Sequence, residues 1–155
     1  MARGLLIAAL VTGACRGIDE CSGEGTSWVE VGETSDDASF SPFVDGEGLT
    51  SSVNDEGQAG VELGLRTRGA DTFDSVTVTL ELEVAGYLSQ LVADANLVCD
   101  NSGHGRLRVF GALPEVVQRD PAAHDGQQIY VQATVIDHRD RAIDADPLLM
   151  KLVTQ

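Results

Sequence analysis

Residues 73–86 read FDSVTVTLELEVAG. Within them Val76, Val78, Leu80, Leu82 and Val84 alternate with Thr77, Thr79, Glu81 and Glu83. Successive side chains of an extended chain point to opposite faces, so five aliphatic residues fall on one side and the polar residues on the other. That is the pattern of a half-buried strand, and its Val and Thr content favours strand over helix. Glu81 and Glu83 share the polar face, about 7 Å apart at ~3.4 Å rise per residue, and point to water.

The same period recurs on both sides. Val61, Leu63 and Leu65 alternate with Glu62, Gly64 and Arg66, and Ile129, Val131, Ala133 and Val135 alternate through IYVQATVID. WVEVG at 28–32, GRLRVFGAL at 105–113 with Leu107 and Val109 on one face, and PLLMKLV at 147–153 read as further strands. FSPFVDGEG (40–48) predicts an edge strand carrying Pro42 and a turn at Asp45-Gly46. SSVNDEGQAG (51–60) and PEVVQRDPAAHDGQQ (114–128) read as turn-rich connections. YLSQLVADANLVCD (87–100) is ambiguous: Leu88, Leu91, Val92 and Ala95 have helical spacing, while 96–99 fits a strand equally well. Several short strands with turn signals at roughly 8–12-residue spacing predict an all-β, antiparallel sandwich.

The other informative stretch is MARGLLIAALVTGACRGIDECSGEG at the start. Arg3, then the apolar run Gly4–Val11, then Thr12-Gly13-Ala14 has the charge, length and small-residue ending of a cleaved secretory signal. The run is too short to span a bilayer, which takes roughly 20 apolar residues. Gly13-Ala14-Cys15 resembles the end of the lipobox of bacterial lipoproteins, in which the cysteine is acylated and becomes the new N-terminus. Thr12 departs from that motif, where an aliphatic residue is usual. Residues 1–14 are therefore expected to be a signal peptide, 15–26 a lipidated Cys15 with a flexible tether, and 27–155 a single β-sandwich domain.

The closing segment DGQQIYVQATVIDHRDRAIDADPLLMKLV resembles the last hairpin of immunoglobulin-like bacterial surface domains. With the lipobox-like start, the whole is similar to small envelope lipoproteins of myxobacteria and related genera. That resemblance implies an immunoglobulin-like β-sandwich, a place at the outer membrane or cell surface, and no catalytic residues.

Composition narrows the partners. The chain has 155 residues with 10 Lys and Arg against 25 Asp and Glu, a net charge of −15. Such a charge disfavours nucleic acid, whose binding depends on cations replacing phosphate counterions. The expected partners are the membrane, through the anchor, and an envelope protein or polymer. If Cys15 carries lipid, Cys21 and Cys99 remain as a pair in an oxidising compartment and are expected to form a disulfide.

Chemistry-bearing motifs are few. No Gly-x-Ser-x-Gly elbow occurs. Cys99, Ser102 and His104 lie close in VCDNSGHGR, but these are ordinary turn residues between two strands. Paired carboxylates for glycoside cleavage could come from Glu81 and Glu83, yet the chain is only 5% aromatic with one Trp, and no sugar platform accompanies them. No catalytic residue and no cofactor is expected. The alternative to a binding module is a metal-binding extracellular protein. Asp137, Asp140, Asp144 and Asp146 in DHRDRAIDAD offer oxygen ligands for calcium, and His104, His124 and His138 fall in predicted loops that could converge on zinc or copper.

Overall fold

A computed structural model describes residues 26–35, 39–70, 75–99 and 102–155. The expected signal segment, Cys15, Cys21 and the tether up to residue 25 lie outside the described residues. The alternating run of 73–86 becomes the central strand of one half of the molecule. Val76, Val78, Leu80, Leu82 and Val84 are all buried at 1% exposure or less, while Glu81 and Glu83 lie on the outer face.

Among the described residues, eleven strands form one hydrogen-bonded network. They are β1 (Trp28–Thr34), β2 (Phe40–Pro42), β3 (Gly48–Val53), β4 (Ala59–Arg68), β5 (Val76–Val84), β6 (Tyr87–Ala95), β7 (Val98–Cys99), β8 (Gly105–Ala112), β9 (Gln128–Ile136), β10 (Ala142–Asp144) and β11 (Leu148–Val153). The expectation of an all-β chain is met. One part of the molecule is built on β4, which takes β8 along one edge and shares the other between β3 and β1. The other part runs β6–β5–β9, with β10 and β11 dividing the far edge of β9.

Strand β3 joins the two parts. Its last residues, Ser51–Val53, pair with β4, and its first, Gly48–Thr50, pair with β11. That second pairing is parallel, as is the isolated bridge Val29↔Ala145, so the sheet is mixed and the strictly antiparallel expectation is corrected. Physically, one short strand passes from one part to the other and links their hydrogen-bonded ladders. A Cβ placed on Gly111 of β8 would stand 2.6 Å from Leu80 Cδ2 and 2.7 Å from Leu82 Cδ1. The inner faces of β8 and β5 therefore meet across the core with no room for a methyl group.

Two other expectations change, and one open reading is resolved. The stretch 51–60 is not wholly turn: residues 51–53 end β3 and 59–60 begin β4. The ambiguous stretch after Tyr87 is strand β6 and then the two-residue β7, with no helix. The connection after residue 113 carries a short α-helix, α1 (Glu115–Arg119), and a 3₁₀ turn at Pro121–His124. Val117 of α1 is fully buried, and Gln118 Nε2 donates to the Leu113 carbonyl at 2.6 Å. Among the described residues no helix is long and apolar enough to cross a membrane.

Candidate functional site

The residues named from sequence are dispersed. Asp137 is buried at 3% exposure. Its Oδ1 accepts the backbone N–H groups of Arg139 (2.9 Å) and Arg141 (3.0 Å). Its Oδ2 accepts Arg141 Nε at 2.9 Å and Nη2 at 2.6 Å. The carboxylate is thus used by its own hairpin, whose tip Asp140 takes φ +58°. Asp144 accepts the hydroxyl of Thr134 at 2.7 Å on the outer face, and Asp146 is exposed.

The four aspartates do not assemble as a ligand set. Among the described residues no group of three or more His, Cys, Asp and Glu is arranged to hold a metal ion. His124 Nδ1 lies 3.2 Å from Gln127 Oε1, His138 is exposed in its hairpin, and the His104 ring packs on Trp28 with centroids 5.3 Å apart. Cys99 ends β7, half-buried and in register with Gly105; its expected partner Cys21 is among the residues not described.

The structure does assemble a surface that the sequence reading missed. Arg66 and Arg68 of β4 alternate with the buried Leu65 and Thr67, and Arg106 and Arg108 of β8 alternate with the buried Leu107 and Val109. The β4–β8 register sets Arg66 opposite Arg106 and Gly64 opposite Arg108, so all four arginines share one strand face, three of them half-buried and Arg108 exposed. The chain has ten Lys and Arg, of which Arg3 and Arg16 are not described; four of the remaining eight are therefore here. In a protein of net charge −15 this is a local reversal of sign.

Aromatic rings border the stripe. The Arg66 guanidinium carbon sits 4.6 Å from the Phe40 ring centroid and 5.6 Å from that of Trp28, within cation–π range. Arg66 Nη2 and Nε donate to Glu30 Oε2 at 2.6 and 3.0 Å. Arg108 Nη2 donates to the Thr34 carbonyl at 2.8 Å, and its Nη1 lies 3.7 Å from Glu62. Arg68, Arg106 and Arg108 have further interactions as well, so the guanidiniums are held in place rather than loose. A held guanidinium presents a planar fork of donors, the geometry that suits carboxylates and phosphates. The sequence signal for this site was the pair of tripeptides Arg66-Thr67-Arg68 and Arg106-Leu107-Arg108, each placing two cations on one strand face.

A second feature lies where β6 and β8 run beside each other. Strand β6 pairs only with β5, and no backbone ladder joins β6 to β8 among the described residues. The Ser89 hydroxyl crosses the seam to donate to the Ala112 carbonyl at 2.6 Å. A cleft of about 540 Å³ opens there, walled by Leu80, Leu82, Leu91 and Phe110 and bounded by the β3–β4 turn. Asn54 organises that turn by accepting the N–H groups of Glu56 (3.1 Å) and Gln58 (2.9 Å) on its Oδ1.

No family model matches this chain, and no curated protein matches it.

Proposed function

We propose that this protein is an exported, lipid-anchored binding module of the bacterial cell envelope, folded as a two-layer immunoglobulin-like β-sandwich and acting without catalysis. Export and anchoring rest on the residues Arg3 to Cys15, with Cys15 as the acylated N-terminus after cleavage. Each buried CH₂ of an acyl chain contributes about 0.8 kcal/mol, so more than one chain is needed to hold a folded domain on a bilayer. The sandwich reading is supported by the contact of Gly111 with Leu80 and Leu82, and by the parallel pairing of an early strand with the last one. A disulfide between Cys21 and Cys99 would tie the tether to the edge strand β7.

The arginine face carries the binding reading. Arg66, Arg68, Arg106 and Arg108, bordered by Trp28 and Phe40, form a basic and aromatic surface on an otherwise acidic chain. Its chemistry suits an envelope polymer bearing carboxylates, with the guanidiniums pairing to the acid groups and the rings lying against apolar surface. The net charge of −15 repels a dense polyelectrolyte such as nucleic acid and leaves more sparsely charged glycans as the better partner.

The test is retention on immobilised polygalacturonate at low and high salt. The expected result is retention in 20 mM NaCl, release by about 0.3 M NaCl, and loss of retention in R106E/R108E, since screening shortens with ionic strength. No retention at low salt, or equal retention of R106E/R108E, would overturn the assignment of this face.

A further inference from the structure

The cleft at the β6–β8 seam lies at the other end of β8 from Arg106 and combines two kinds of chemistry. Its walls are apolar: Leu80 and Leu82 belong to the core, and Leu91 and Phe110 line the opening. Its mouth is acidic, because the β3–β4 turn places Asp55 and Glu56 there, both exposed. Among the described residues both strands beside the cleft have an edge without a strand partner over most of its length: β7 pairs only with Arg106 and Gly105 of β8, and the outer edge of β6 pairs with no strand, meeting β8 through the Ser89–Ala112 hydrogen bond. Unpaired strand edges offer rows of N–H and C=O groups to an extended chain.

We propose that this cleft binds an extended peptide segment of a partner protein, one that alternates an apolar residue with Lys or Arg. Alternation is what a strand supplies, since neighbouring side chains face opposite ways. The apolar residue would enter between Leu91 and Phe110, and its basic neighbour would meet Asp55 and Glu56. Backbone hydrogen bonds to the free edge would supply affinity, and the apolar pocket and charge complementarity would supply selectivity. The Asn54-centred turn holds the two acids in position, with Gly57 at φ +80° closing it.

The inference does not depend on the polygalacturonate result, because no residue is shared between the two surfaces. The experiment uses the full chain, ¹⁵N-labelled, titrated with the synthetic peptide acetyl-Lys-Val-Lys-Val-Lys-Val-amide and with its Glu-Val counterpart. Expected are amide shifts confined to residues 54–58, 89–91 and 110–112 with the lysine peptide and none with the glutamate peptide. In D55K/E56K, whose substitutions fall on exposed turn positions, the apparent Kd should rise at least tenfold. L91Q, checked for fold by its amide dispersion, should weaken binding without moving its salt dependence. The proposal is overturned if millimolar lysine peptide shifts nothing at the cleft, if both peptides shift it equally, or if D55K/E56K binds as the parent does.

Discussion

Arg66 and Arg106 stand opposite each other across the β4–β8 ladder, two cations at one register position, while Arg66 is clasped by Glu30 and lies between Phe40 and Trp28. Two like charges opposite each other weaken a sheet, so the carboxylate beside them has structural as well as electrostatic weight. Arg66 is a quarter exposed and Glu30 rather more, which limits the value of the pair. A double-mutant cycle with E30Q and R66M should give a coupling energy of roughly 1 kcal/mol at low salt, falling in 1 M NaCl. Urea melts of the four proteins measure it, and zero coupling at low salt would contradict the geometry described.

The close approach at Gly111 makes a sharper prediction. Its missing side chain is the space that Leu80 and Leu82 occupy. Gly111→Ala should destabilise the protein by about 1–3 kcal/mol through overpacking. Thermal melts should show a drop of roughly 2–4 °C for each kcal/mol at this chain length. An unchanged melting temperature would mean that β8 and β5 are not in close contact.

Asp137 gives the clearest structural test in the closing hairpin. Removing its carboxylate takes an acceptor from the N–H groups of Arg139 and Arg141 and leaves the Arg141 guanidinium with the Gly69 carbonyl, 3.1 Å from Nη2. Asp137→Ala should cost about 2–3 kcal/mol, because the lost bonds include charge-assisted ones. Calcium should leave both the parent and the variant melt unmoved, since the carboxylate serves the hairpin. A rise in the parent melting temperature with millimolar calcium, reversed by a chelator, would restore the metal reading.

The C-terminus is held by a titratable group. Asp125 Oδ1 accepts the backbone N–H of Thr154 at 2.8 Å and its hydroxyl at 3.1 Å. The backbone hydrogen bond first, and the hydroxyl second, hold the Asp125 carboxyl below its ordinary value of 3.8. A group whose pKa is lowered by folding stabilises the fold above its unfolded pKa and loses that contribution as pH falls through the folded one. The hold on Thr154 should thus be intact above pH 3.8 and lost as pH falls through the lowered value. Amide exchange at Thr154 should quicken with a midpoint under 3.8, and Asp125→Asn should remove that step.

How much of this was legible depended on whether one face of a strand was purely apolar. Val76–Val84 and Ile129–Val135 alternate without interruption, and both became strands with those residues buried. Strand β6 was ambiguous because Leu88 and Val92 are apolar yet 61% exposed on its outer face, while Ser89 lies on the inner one. Strand β3 was hidden for the opposite reason: its inward positions are Leu49 and Ser51, and a buried serine carries no hydrophobic signal. The arginine face was present as two R-x-R tripeptides, but their alignment depends on the β4–β8 register, which no local pattern encodes. The acidic run at 137–146 had the composition of a cation site, while the burial of Asp137 against Arg141 is a tertiary fact.

The central claim, an exported and lipid-anchored module, is tested most directly by the intact mass of the protein recovered from native host membranes, before and after reduction and alkylation. The account predicts a chain that begins at Cys15, carries added acyl mass, and alkylates at Cys21 and Cys99 only after reduction. A chain that retains Met1 and shows three free thiols would contradict it.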